Sequence, residues 1–173
     1  MDPEEQKALS ELSTLAKKHG FWDAEAELPK DVVVCRTSSR FCLGVEHGDY
    51  NGTELFGVGT NRFIWMAFRP AQTKRIRLLS YNFPNDGIVE FDVGSTSALM
   101  TAEERAAASW RQFPLGVDYV LTKHGFALSR GFDAVIYGNI PGRYSLQVVT
   151  CCFSLLLCHF CPNAVMHVWQ WAC

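Results

Sequence analysis

Ser39-Arg40-Phe41-Cys42-Leu43-Gly44-Val45-Glu46-His47-Gly48-Asp49-Tyr50-Asn51-Gly52 is the stretch on which the reading of this chain turns. Its first half, Ser39 to Gly44, reads as a strand. Its second half places Glu46, His47 and Asp49 within four residues and closes on Asn51-Gly52, a strong turn signal. A strand end feeding a tight turn can hold such side chains around a small pocket. Carboxylates accept hydrogen bonds from hydroxyl groups, and an imidazole donates or accepts one. A site built on such bonds rejects analogues without the hydroxyls, because its own buried polar groups would then go unpaired. Arg40, six residues before Glu46, supplies a fixed cation that can stabilise a developing alkoxide or phosphoryl charge. On composition alone the same cluster reads as a solvated loop. A metal site would need further ligands at fitting spacing, and none is evident.

Outward from this stretch the chain alternates strands and turns. Upstream, Asp31 to Arg36 is a β-branched run that reads as a separate strand after the break at Pro29. Further upstream, Glu4 to His19 carries Leu9, Leu12, Leu15 and Ala16 at helical spacing, with Gly20 as a stop. Downstream, Phe63 to Phe68 is wholly apolar and reads as a buried strand. Arg75 to Ser80 reads as a half-exposed strand, and Ile88 to Val93 as a strand with one wet face. The turn at Pro84 to Gly87 predicts a hairpin between them. Thr101 with Glu104 forms a capping-box pattern for a helix running through Trp110. Pro114 predicts a break, and a second helix is expected over Leu115 to Lys123. Phe132 to Gly138 reads as the last strand. This order predicts an α+β domain with helices on one face of a mostly antiparallel sheet.

Composition narrows the function classes. The 173 residues suit one domain and can bury a real core. Apolar residues make up 48% and charged residues 20%, which is a globular composition. A net charge of -2 gives no support for nucleic-acid or anionic-membrane partners, which need a basic surface. The acidic start Met1-Asp2-Pro3-Glu4-Glu5 lacks the pattern of a secretory signal, so the seven cysteines are expected to be reduced thiols in the cytoplasm.

The string from Ser39 to Thr53 resembles the G-R-V-N-L-I-G-E-H-T-D-Y-N-G-G signature of galactokinases, in the GHMP kinase superfamily. Arg40, Leu43, Glu46, His47, Asp49, Tyr50, Asn51 and Gly52 fall in register with it. Trp110 to Gly125 resembles the family helix before the next strand, and Gly131 to Pro141 resembles the strand leading to the phosphate-binding loop. The likeness covers roughly Leu28 to Gly142, as the front part of a longer family member. It implies an incomplete GHMP-kinase-like N-terminal domain. It also implies that Glu46, His47 and Asp49 bind sugar hydroxyls and that Arg40 acts catalytically beside the anomeric hydroxyl. The implied partner is galactose or a related sugar, and the implied cofactors are ATP and Mg²⁺. The chain departs from the signature at Thr37-Ser38-Ser39 in place of A-P-G, at Val45 and at Gly48, changes that bear on which sugar is taken.

The resemblance stops after Pro141. The family continues with a Gly- and Ser-rich loop opening a helix, where backbone N–H groups and the helix end cradle phosphate. Here the chain reads Pro141-Gly142-Arg143-Tyr144-Ser145-Leu146, and no Asp, Glu, Lys or Arg follows Arg143. Such an abrupt change is what a shifted frame or splice boundary leaves. The apolar run Val148 to Phe160 falls short of the about 20 residues a membrane span needs. One C-x-x-C, Cys158 to Cys161, is weak support for zinc. No residue takes the role of the family's catalytic Asp. The expected organisation is an N-terminal helical arm over 1–28, a galactokinase-like sugar-binding domain over 29–143, and a divergent apolar Cys-rich tail over 144–173. The expected function is that of a galactokinase-like sugar kinase in a truncated form with little activity alone. A non-catalytic sugar-binding module and a non-functional truncation product are the alternatives.

Overall fold

Among the described residues, runs rich in β-branched and aromatic residues form five strands, and the helices α1 (Pro3–Lys18) and α2 (Gln112–Lys123) flank them. The computed structural model describes residues 2–22, 28–44, 52, 54, 56–96, 101, 103–104, 107 and 109–140. Helix α1 spans Pro3–Lys18. Strands β1 (Val33–Gly44), β2 (Phe56–Pro70), β3 (Arg75–Ser80) and β4 (Val89–Asp92) follow, then helix α2 (Gln112–Lys123) and strand β5 (Phe132–Gly138). The sheet order is β1-β2-β5-β3-β4. All neighbours are antiparallel except β3 and β5, which run parallel. The α+β class and the antiparallel majority agree with the sequence reading.

The side-chain period of two splits the sheet into two packed faces. Ile64, Met66 and Phe68 of β2, Ile76 and Leu78 of β3, and Ala134 and Ile136 of β5 point into one core. Buried Trp110 closes that core together with half-buried Leu115 and Val117 of α2. Trp65, Ala67, Leu79, Val135 and Tyr137 point the other way, where Ala8, Leu12 and Ala16 of α1 meet Phe21 and Trp22. The sequence reading puts the helices on one face of the sheet; in the structure α2 lies on one face and the N-terminal helix α1 on the other.

Helix α1 begins where the chain supplies its own cap. The Asp2 carboxylate accepts from the Glu4 N–H at 3.2 Å, and Pro3 occupies a first-turn position whose missing donor costs nothing. Glu4 and Glu5 lie at the positive end of the helix and Lys17 and Lys18 at the negative end. Its buried stripe is Ala8, Leu12 and Ala16, four residues apart; of the four expected residues Leu12 and Ala16 lie in it and Leu15 packs half-buried beside it, while Ala8 takes the place given to Leu9. Two alanines let the helix backbone approach the sheet closely, which larger side chains would prevent.

Three local expectations change for physical reasons. The strands expected over 31–36 and 39–44 are one strand, β1, because β2 pairs with it from Val33 to Gly44 across two register shifts. The second helix, α2, starts at Gln112 rather than after Pro114: the proline falls in its first turn, where the backbone N–H has no helical partner to lose. Strand β3 is buried from Leu78 to Ser80 rather than half exposed, because it lies between β5 and β4 with both sheet faces covered. Other details agree with expectation. Thr101 N–H donates to Glu104 Oε2 at 2.7 Å and Glu104 N–H donates to Thr101 Oγ1 at 3.2 Å, the reciprocal capping box. Edge strand β4 buries Val89 and Phe91 and exposes Glu90 and Asp92.

A ladder of alternating charge crosses the sheet. Arg69 and Arg77 flank Asp133 at 3.9 and 3.8 Å, Arg77 meets Glu90 at 3.3 Å, and Arg75 meets Glu90 and Asp92 at 3.5 Å each. The ladder also holds the chain after α1. Arg77 stacks 4.6 Å from the Phe21 ring centre, and Arg69 donates to the Phe21 carbonyl at 2.8 Å.

Candidate functional site

Strand β1 carries the site stretch away from the body of the sheet. β5 pairs with β2 only from Ile64 to Pro70, so the part of the β1–β2 hairpin beyond Phe63 is a two-stranded ribbon. Arg40 lies in this ribbon, its backbone paired with Gly59. Phe41 pairs with Val58, and Phe41, Leu43, Phe56 and Val58 are all exposed. Glu46, His47 and Asp49 lie outside the described residues, as does the Arg40 side chain. Arg40 is thus placed in the fold by its backbone. Gly52, at the end of the stretch, has φ +72°, a left-handed conformation that glycine adopts without strain, as the Asn51-Gly52 turn signal requires.

The foot of the ribbon is anchored by residues that sequence reading passes over. Phe63 N–H donates to Asn139 Oδ1 at 2.7 Å, and Asn139 N–H donates back to the Phe63 carbonyl at 3.1 Å. Asn139 Nδ2 also donates to Glu4 Oε2 at 3.1 Å, tying α1 to the same point. Next to it, Asn82 grips Gly138 from both sides. Its Nδ2 donates to the Gly138 carbonyl at 3.0 Å, and its Oδ1 accepts from the Gly138 N–H at 2.8 Å. These two asparagines fix where β5 ends. The Phe63–Asn139 bonds span 76 residues, and no local pattern announces a partner at that distance.

The described titratable groups near the sheet serve the fold. Burial pushes the Cys35 thiol up to about 11, and the thiol donates to the Met66 carbonyl at 3.6 Å. Partial burial also raises the Asp133 carboxyl above its usual range, against the pull of Arg77 and Arg69. Among the described residues no group of three or more His, Cys, Asp or Glu is placed to hold a metal ion. The residues beyond Ile140, where the chain departs from the family's phosphate-binding loop, lie outside the described residues. No described residue is therefore assigned to ATP or Mg²⁺. Among the described residues no helix is long and apolar enough to cross a membrane.

No family model matches the chain. It is 31% identical over 136 residues to a galactokinase of Lactiplantibacillus plantarum, covering 79% of this chain and 33% of that one. It is 33% identical over 102 residues to a galactokinase of Bacillus subtilis, covering 59% of this chain and 25% of that one. The chain thus spans a quarter to a third of the length of these curated relatives. The crystal structure of Lactococcus lactis galactokinase complexed with galactose superposes with a TM-score of 0.72 at 24% identity, over 97% of this chain and 41% of that one. That likeness concerns the fold. Sequence relatives and fold agree, and the chain belongs to the galactokinase family, as a counterpart of the N-terminal part of its longer members.

Proposed function

We propose that the chain carries the sugar-recognition half of a galactokinase-like sugar kinase and turns over little on its own. The observation that carries this reading is the register match of Arg40, Glu46, His47, Asp49, Tyr50, Asn51 and Gly52 with the family signature, at the free end of a strand. Glu46, His47 and Asp49 accept and donate hydrogen bonds to the hydroxyls of galactose or a related sugar. Arg40 lies beside the anomeric hydroxyl and stabilises the charge that develops there. In the family reaction the γ-phosphoryl group of ATP, with Mg²⁺, passes to that anomeric oxygen.

Phosphoryl transfer depends on positioning and charge stabilisation by several parts at once. After β5 the chain reads Pro141-Gly142-Arg143-Tyr144-Ser145 in place of a Gly- and Ser-rich loop, and none of the 173 residues is assigned the base. This favours a second reading, a module that recognises the sugar without phosphorylating it. Calorimetric titration with galactose tests recognition: saturable binding is expected, and Asp49→Ala abolishes it. An ADP-release assay with galactose and ATP separates the two readings. Turnover near background supports the module, and turnover at the rate of a full-length relative restores the kinase.

A further inference from the structure

Strands β1 and β2 keep one register from Val33 opposite Phe68 to Ser38 opposite Phe63, then resume with Arg40 opposite Gly59. From Ser38 to Arg40 β1 advances two residues, while from Phe63 to Gly59 β2 covers four, so two extra residues lie in β2. Thr60, Asn61 and Arg62 thus face Ser39 alone. A second shift falls between Cys42 and Gly44, leaving Arg40, Phe41 and Cys42 as a short regular segment framed by two irregularities. An even insertion preserves which face each side chain takes, whereas an odd one would flip it. What a bulge adds is a bend and extra twist, the means by which strands re-aim residues beside a site.

The bulge has its own fastening. Inside it, Arg62 N–H donates to Thr60 Oγ1 at 3.2 Å. A Thr hydroxyl bonded two residues along the chain satisfies a backbone group that the interrupted ladder leaves over, and fixes the local turn. We propose that Thr60 is a positioning residue for Arg40: its hydroxyl holds the β2 bulge, and the bulge sets the bend of β1 at Arg40. This rests on the sugar-site reading above.

The test uses the full chain with Thr60→Val, which keeps the shape and loses the acceptor, and Thr60→Ser, which keeps the hydroxyl. Three quantities are measured: galactose affinity by calorimetry, melting temperature, and amide hydrogen exchange at Arg40, Phe41 and Cys42. Thr60→Val should weaken galactose binding roughly three- to tenfold and speed exchange at those three amides, with the melting temperature unchanged. Thr60→Ser should restore both. The proposal is overturned if Thr60→Val binds and exchanges like the parent, if Thr60→Ser fails equally, or if affinity falls only in step with melting temperature. Should the parent chain show no saturable binding, the sugar reading fails, and exchange alone decides on Thr60: unchanged protection at 40–42 in Thr60→Val overturns its role.

Discussion

At Gly131 a single hydrogen atom separates a sound sheet from a broken one. Its N–H donates to the Thr73 carbonyl at 2.7 Å, and its own carbonyl accepts from Ala71 N–H at 2.9 Å, so the backbone is fixed on both sides. A Cβ built there collides with the Arg75 carbonyl and carbonyl carbon, which are main-chain atoms that cannot turn away. Gly131→Ala is therefore expected to destabilise the chain by about 1–3 kcal/mol or more, read as a lower midpoint in urea unfolding. Sequence alone marks Gly131 only as a residue before a strand, because the collision involves a carbonyl 56 residues away along the chain (Arg75 to Gly131). Arg40 shows the converse. Its place in a strand beside a turn is legible from local pattern and family resemblance. The bulge opposite it is not, because that bulge is a property of two strands together.

At the scale of elements, helix α1 depends on three side chains four residues apart. Leu12 is fully buried between Ala8 and Ala16 against Trp65, Ala67, Val135 and Tyr137. Leu12→Ala leaves a cavity on this face and should cost about 2–5 kcal/mol. If α1 were a loose arm instead, Leu12→Ala would leave the thermal midpoint unmoved. The strands were readable where pattern was local, as in Phe132 to Gly138, whose limits match the expected ones. Local pattern falls short where neighbours decide. The alternation in β3 holds at exposed Arg75 and buried Ile76, but Leu78 to Ser80 are buried on both faces between the flanking strands. The charge ladder gives this scale a pH dependence. Asp133 has a folded pKa raised chiefly by burial, so the native state binds its proton more tightly than the unfolded chain does. Stability from this group is present below the ordinary carboxylate pKa and is lost as pH rises through the folded value. Asp133→Asn should flatten the stability–pH curve between the ordinary carboxylate pKa and the raised folded value. An unchanged slope in that window would remove Asp133 as its source.

At the scale of the molecule, the sheet has a covered part and a bare part. Phe41, Leu43, Phe56 and Val58 are 60%, 54%, 66% and 44% exposed, whereas Ile64 to Phe68 on the same β2 strand are buried. Contiguous apolar surface on a ribbon binds apolar probes and other chains. The full chain should bind ANS, and Phe41→Ser with Phe56→Ser should remove most of the signal without lowering the melting temperature. Equal fluorescence in the variant would place the exposed apolar surface elsewhere. Fold class and most strand positions could be read from residues 28–142, because hydrophobic period and turn chemistry are local. The order of strands and the second packed face could not, since they follow from which strand finds which partner.

That order has a consequence for how the sheet comes into being. β5, the last of the described strands, lies in the middle of the sheet and bonds to β2 on one side and β3 on the other. As the polypeptide emerges from the ribosome, the β1–β2 and β3–β4 hairpins can form from near neighbours, but each keeps an open inner border until Phe132 to Gly138 arrives. The step that joins them closes long loops at once, which makes it slow and leaves both borders free to pair with other nascent chains in the interval. β5 acts as the keystone of assembly, and the vulnerable period of this protein is the time between making residue 92 and residue 138.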